Sequence, residues 1–169
     1  TDPEVVVTPN TSNAPSGLSV AELVSIYNGT YTRWNQLPGN AGGSSDLIVP
    51  LLPPSGSSIT KTFLADLQTA NGGTAVTLYS TVKTVEQNDP TAITSAGADA
   101  IEPFAQSRLN LYNSGYFKDP STVPFPGGAT LTAGVKVVSG TAPDGGSSYA
   151  DANGIYAIFR QSDLASTTP

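Results

Sequence analysis

The stretch Leu47-Ile48-Val49-Pro50-Leu51-Leu52-Pro53-Pro54-Ser55-Gly56-Ser57-Ser58-Ile59-Thr60-Lys61-Thr62-Phe63-Leu64 decides the fold class. Its first six residues form a continuous apolar run, suited to a strand buried on both faces. Pro50 brings no amide hydrogen, which places that strand near an edge or a bend. Pro53 to Ser58 is turn chemistry. After it, Ile59, Phe63, Leu64 and Leu67 recur on one face of a helix, which Asn71-Gly72-Gly73 stops.

Upstream, Glu4-Val5-Val6-Val7-Thr8 reads as a strand and is followed by a Pro/Asn/Ser-rich loop. Ser19-Val20-Ala21-Glu22 has the form of a capping box, and Leu18, Leu23, Val24, Ile26 and Tyr27 supply helical periodicity around it. Asn28-Gly29 ends that helix, Trp34 falls in a short turn, and residues 39–45 form a flexible loop. Downstream, residues 81–86 alternate like a strand, and Asn88-Asp89-Pro90 signals a helix start with Pro in the first position. Asp99-Ala100-Ile101-Glu102-Pro103-Phe104 suggests a strand end, and residues 107–112 a short helix before Asn113-Ser114-Gly115. Beyond a Pro/Gly loop at 119–128, residues 130–138 and 155–160 look like strands separated by a loop over 139–154. Alternation of strand and helix over residues 46–112 points to a layered α/β structure. No internal repeat is present.

Composition narrows the function. A length of 169 residues fits one domain over residues 1–169, large enough for a real core. Only 7 Lys and Arg are scattered along a chain of net charge −6, so the clustered basic face that nucleic acid requires is missing. Attraction to anionic lipid is disfavoured for the same reason. With no Cys there is neither a disulfide framework nor a thiolate metal site. No apolar run reaches the roughly 20 residues of a membrane-spanning helix. No signal peptide is visible, so the sequence reads as a mature or trimmed form, and its composition fits an exported bacterial protein.

Several motifs, in order, carry a resemblance. Leu23-x-x-Ile26-Tyr27-x-Gly29, followed by Trp34 and Leu37, resembles a signature in the second lobe of phosphate-binding proteins of ABC transporters. The loop from Pro53 to Ser58 with its helix resembles that family's Ser-Gly-Ser-Gly-Thr loop. Glu86-x-Asn88-Asp89-Pro90-x-Ala92-Ile93 and Asp99-Ala100-Ile101-x-Pro103-Phe104-x-x-x-Arg108 are similar to actinobacterial members. The resemblance covers most of residues 5–117 and extends to the strand expected at 155–160. It implies a three-layer α/β/α lobe of the periplasmic-binding-protein type, with a central mixed sheet of about five strands. It also implies a small phosphate-like anion as ligand, with a second lobe or an ABC transporter as partner, and a secreted or cell-surface location. The family protein has two lobes that close on the anion, and the first lobe is missing here, so the chain reads as an excised lobe or a shortened relative. The loop also departs from the family at two places. The family reads Ser-Gly-Thr where this chain has Ser57-Ser58-Ile59, and Pro53 stands where classical members carry Arg. Arg supplies a bidentate charge-assisted contact and Thr a hydroxyl donor, so both are absent from this loop.

The residues themselves give Ser55, Gly56, Ser57 and Ser58 a case as an anion site. A short Gly-containing loop before a helix aims backbone N–H groups and the helix dipole at one spot, with Ser hydroxyls as further donors and Lys61 as a nearby charge. The plain structural reading makes Ser57 or Ser58 an N-cap and Gly56 a turn residue. Arg108, close to the strand end at Phe104, is read either as a ligand contact or as a surface or salt-bridged side chain. Trp34 and Tyr27 read as packing residues. Glu86 and Asp89 are near enough in sequence to pair, although a helix-start role accounts for Asp89. Ser58-Ile59-Thr60-Lys61 matches the Ser-x-x-Lys of penicillin-interacting enzymes, but the Lys-Thr-Gly strand those enzymes also need is missing. Without His there is no imidazole base and no Ser-His-Asp triad. No close Asp/Glu cluster suggests a metal, and no cofactor is implied. The expectation is therefore a binding domain rather than an enzyme. The alternative is an extracellular structural or interaction domain that keeps the lobe fold without phosphate binding.

Overall fold

The computed structural model describes residues 2–119 and 128–153. The strand expected at 155–160 and most of the loop expected at 119–128 lie outside the described residues.

Strand β1 (Asp2–Pro9) leads through a loop to helix α1 (Val20–Tyr27) and a short 3-10 turn at Trp34–Gln36. Strand β2 (Val49–Leu52) then feeds helix α2 (Ser58–Ala70). Strand β3 (Lys83–Thr84), helix α3 (Pro90–Ala96), strand β4 (Ala100–Ala105) and helix α4 (Gln106–Asn113) follow, and strands β5 (Val135–Val137) and β6 (Ala150–Asn153) close the described chain. The sheet runs β3-β2-β4-β1-β5, and β6 also pairs with β1. Strands β2 and β3 are parallel, as are β2 and β4, whereas β1 is antiparallel to β4, β5 and β6. The sheet is thus mixed.

The period of 2 along the strands sends alternate residues into two separate cores. On one face, Val6, Leu52 and Ile101 pack with Leu23, Ile26 and Tyr27 of α1, Phe63 and Leu67 of α2, and Trp34. On the other, Val5, Val7, Leu51, Ala100 and Phe104 pack with Ile93 of α3 and Leu109 of α4. Helices therefore cover both faces, and the three-layer α/β/α arrangement follows.

Local chemistry accounts for the helix boundaries. Ser19 caps α1 by accepting from the Glu22 amide at 3.2 Å, while Glu22 Oε2 accepts from the Ser19 amide at 3.2 Å. Asp89 caps α3 by accepting from the Thr91 amide at 2.9 Å, with Pro90 in the first turn. Trp34 and Tyr27 are fully buried, as their packing role requires. The Trp34 indole donates to Asp99 at 2.8 Å, the Tyr27 hydroxyl donates to the Leu51 carbonyl at 2.7 Å, and the Tyr27 ring meets Phe63 edge-on at 4.9 Å.

Three strand expectations change. Of residues 81–86 only Lys83–Thr84 pair, because this edge strand has a partner on one side alone. Of residues 130–138 only Val135–Val137 form a strand. The stretch 139–154, expected as loop, contains β6, and the described sheet has six strands rather than about five. Strand β6 exists because the outer edge of β1 needs partners along its whole length: β5 pairs with Val7 to Pro9 and β6 with Asp2 to Val5.

Candidate functional site

The parallel pairing of β2 and β4 brings two helix starts to one end of the sheet. Strand β2 ends at Leu52 and reaches α2 through residues 53–57, while β4 ends at Ala105 and turns directly into α4. Strand β1 runs the other way, with Glu4 opposite Ala105, so its first residues arrive at the same end. Between them lies a cleft of about 530 Å³. Ser58, Ile59 and Thr62 of α2 line one side, Asn88, Ser107 and Arg108 another, and Asp2 and Glu4 a third. Open α/β sheets collect ligands at this position, outside the carboxyl ends of parallel strands.

Of the sequence-derived candidates, Ser58 and Arg108 are brought together here. Ser57 is not a cleft residue: its hydroxyl caps α2 by accepting from the Thr60 amide at 3.0 Å. Ser55, Gly56 and Lys61 are exposed and outside the lining of the cleft. The two departures from the family pattern have structural counterparts. Pro53 is buried, with its carbonyl accepting from the Thr60 hydroxyl at 2.8 Å, and Ile59 is buried while lining the cleft. The first amides of α2, those of Ser58 and Ile59, precede the helix's own hydrogen-bond ladder and are available to an acceptor.

Arg108 is half-buried, and its guanidinium lies 4.4 Å from the centroid of the Phe117 ring and 5.8 Å from that of Tyr112. Its Nε is buried without a hydrogen-bond partner, and no ion pair is formed by Arg108 among the described residues. Among the described residues its guanidinium is therefore packed on aromatic rings beside the cleft.

Sequence reasoning passed over Asp2, Thr62, Asn88 and Ser107. Asn88 has φ 55°, a left-handed conformation that Asn tolerates better than most residues, and its side chain accepts from the Ala105 amide at 3.0 Å. It thus fixes the junction between β4 and α4. Ser107 donates its amide to Asp2 Oδ1 at 2.9 Å and its hydroxyl to Asp2 Oδ2 at 2.5 Å. No local signal links residues 2 and 107, which meet only through strand pairing.

Glu102 was also passed over, although a carboxyl inside the apolar run Ala100 to Phe104 is a visible anomaly. It is fully buried, and neither side-chain oxygen has a hydrogen-bond partner among the described residues. Burial, with the Asp89 charge as a lesser cause, pushes its carboxyl up to about 8. It lies on the strand face shared with Ala100 and Phe104 and does not line the cleft.

A mixed sheet covered by helices on both faces, with a cleft at the carboxyl ends of its parallel strands, is the architecture that the comparisons address. The chain belongs to the PBP superfamily domain family, whose model matches residues 1–166. No curated protein matches its sequence. Among solved structures it is similar to a protein from Clostridium perfringens described as a phosphate ABC transporter substrate-binding protein with bound phosphate, at 18% identity and a TM-score of 0.54. That similarity covers 82% of this chain and 44% of the other. An ABC-type phosphate transport receptor from Vibrio cholerae is similar at 15% identity and a TM-score of 0.53, with 82% of this chain and 46% of that one covered. PstS from Borrelia burgdorferi follows at 18% identity and a TM-score of 0.50, over 64% and 42% of the two chains. The fold is that of phosphate-type binding proteins, and the chain spans less than half the length of each of these structures.

Proposed function

We propose that this chain is a solute-binding domain that takes phosphate or a related oxyanion in the cleft between the starts of α2 and α4. The observation that carries this reading is the convergence of Ser58, Thr62, Ser107 and Arg108, which forms no ion pair among the described residues, on one cleft of about 530 Å³. Hydroxyl and amide donors with a fixed cation are what an oxyanion needs, and helix N-termini add favourable dipoles. Family membership and the phosphate bound to the Clostridium perfringens protein support the same ligand class. The chemistry on offer is binding, in an exported protein working beside a transporter or a second lobe, rather than catalysis.

The site we assign differs in detail from the Ser55 to Ser58 loop. Ser58 remains, Ser57 serves the helix, and the far wall supplies Ser107 and Arg108. Isothermal titration of the chain with inorganic phosphate, and with sulfate as comparison, tests the reading. Saturable heat that Arg108→Ala weakens at least tenfold is expected, since a charge-assisted contact contributes about 1.5–3 kcal/mol. A flat titration with both anions would sink it.

A second reading rests on a separate observation: the cleft is lined by two acidic residues, Asp2 and the buried Glu4, and by one Arg. A cleft lined by acidic residues suits a domain that has kept the lobe fold for contact with another macromolecule. Failure of every small anion to bind, with the chain folded, would favour it.

A further inference from the structure

We propose that Asp2 is a built-in carboxylate ligand of this cleft, which an incoming oxyanion must displace from Ser107. The inference rests on the oxyanion reading of the same cleft and adds a regulatory residue to it.

Helix α4 does not cap itself. Its N-cap is Ala105, which has no side-chain acceptor, and its first turn contains no acidic residue. The negative charge that the helix start favours comes instead from a residue 105 positions away. Asp2 places both carboxylate oxygens on Ser107, one on the amide at 2.9 Å and one on the hydroxyl at 2.5 Å. This is the contact that one face of a phosphate would make with the same two donors.

Two further features separate an occupant from a simple cap. Asp2 lines the cleft together with Ser58, Thr62 and Arg108, so its carboxylate stands in the space a ligand would enter. Arg108, the next residue after Ser107, forms no ion pair with Asp2 or with any other described residue. Asp2 therefore uses part of the donor set, and among the described residues the cation is left without an anionic partner. A free oxyanion with a third oxygen can engage Ser107 and Arg108 together, which gives it a means of winning the exchange.

The position of Asp2 is set by the sheet. The pairs Glu4–Ala105 and Val5–Phe104 hold the start of β1 against the end of β4, so Asp2 is a tethered competitor at high effective concentration. Anything that moves the start of β1 away from β4 lifts the carboxylate from Ser107, so the state of this strand end sets the anion affinity.

Calorimetric titration of inorganic phosphate into the full chain and into Asp2→Ala, Asp2→Asn and the double variant Asp2→Ala/Ser107→Ala tests the proposal. Thermal melts without phosphate confirm that each variant is folded. Asp2→Ala is expected to bind about tenfold tighter than the parent, as removal of a tethered competitor predicts. Asp2→Asn should fall between them, and the double variant should lose the gain. Equal affinities for the parent and Asp2→Ala would overturn the proposal and leave the phosphate reading standing, with Asp2 reduced to a helix cap. A gain that survives Ser107→Ala would also overturn it, because the effect would then come from general removal of negative charge. No heat from any variant would end the phosphate reading itself, and the proposal with it.

Discussion

At Ser57 and Ser58 two adjacent hydroxyls have different jobs, and mutation separates them. The Ser57 hydroxyl accepts from the Thr60 amide at the start of α2, whereas Ser58 lines the cleft. Ser57→Ala is expected to lower stability by about 1 kcal/mol, the usual loss for an N-cap, and to leave phosphate affinity within twofold. Ser58→Ala should do the reverse. Urea melts and titrations on both variants check the pair. Glu102 makes a sharper prediction. Its folded-state carboxyl titrates near 8, against an ordinary value of 4.5. Below about pH 4.5 both folded and unfolded chains hold the proton, and the group has no effect on stability. As pH rises from there towards 8 the unfolded chain ionises first, so stability falls by up to about 1.4 kcal/mol per pH unit. Above 8 the loss is complete. Burial raises the Glu22 carboxyl as well, and that group acts in the same direction. Urea midpoints at pH 5 and pH 8 should therefore drop with rising pH in the parent, and Glu102→Gln should remove most of the drop. An unchanged slope in Glu102→Gln would mean that the carboxyl is not held neutral.

At the scale of elements, what was legible in the sequence followed local chemistry. The Ser19 to Glu22 box, the Asp89-Pro90 start and the apolar face of α2 all form as their residues dictate. What was not legible depends on distant partners. Ala150-Asp151-Ala152-Asn153 alternates, but over four residues only and with Ala as its apolar residue and no β-branched side chain, and it becomes strand β6 because β1 offers an edge. The candidate site divides in the same way: Ser58 and Arg108 were visible near motif ends, whereas Asp2 and Ser107 meet only by pairing of β1 with β4. The segment leading into β6 is ordered by contacts with the start of α1. The Ser19 hydroxyl donates to Asp144, the Asp144 amide donates to Glu22 at 3.1 Å, and the Tyr149 amide donates to the Leu18 carbonyl at 2.8 Å. Gly39 is part of the same closure. It has φ 79°, and a Cβ there would lie 2.1 Å from the Pro143 carbonyl oxygen. Gly39→Ala combines a left-handed penalty of about 1–2 kcal/mol with that clash, so Tm should fall by roughly 4 °C or more. A melt indistinguishable from the parent would show that residues 39 and 143 separate at little cost.

For the whole molecule, the sign of the electric field decides how anion binding responds to salt. The net charge is −6, and Asp2 and Arg108 both line the cleft. A basic cleft would attract phosphate from a distance and lose affinity as salt screens that attraction. On the oxyanion reading, a net charge of −6 opposes the approach of an anion at long range, and attraction comes at hydrogen-bond range, from Arg108 and the helix starts. Raising ionic strength from about 0.01 M to about 0.1 M shortens the Debye length from about 30 Å to about 10 Å, which screens the repulsion while affecting short contacts far less. Phosphate affinity should therefore hold steady or rise over that range, measured by titration in a salt whose anion is a poor hydrogen-bond acceptor. The association rate should increase with it, since steering acts on the encounter more than on the bound state. A steep loss of affinity with salt would mean that Arg108 and Lys61 outweigh the carboxylates at a distance, and that the acidic surface lies away from the path of the ligand.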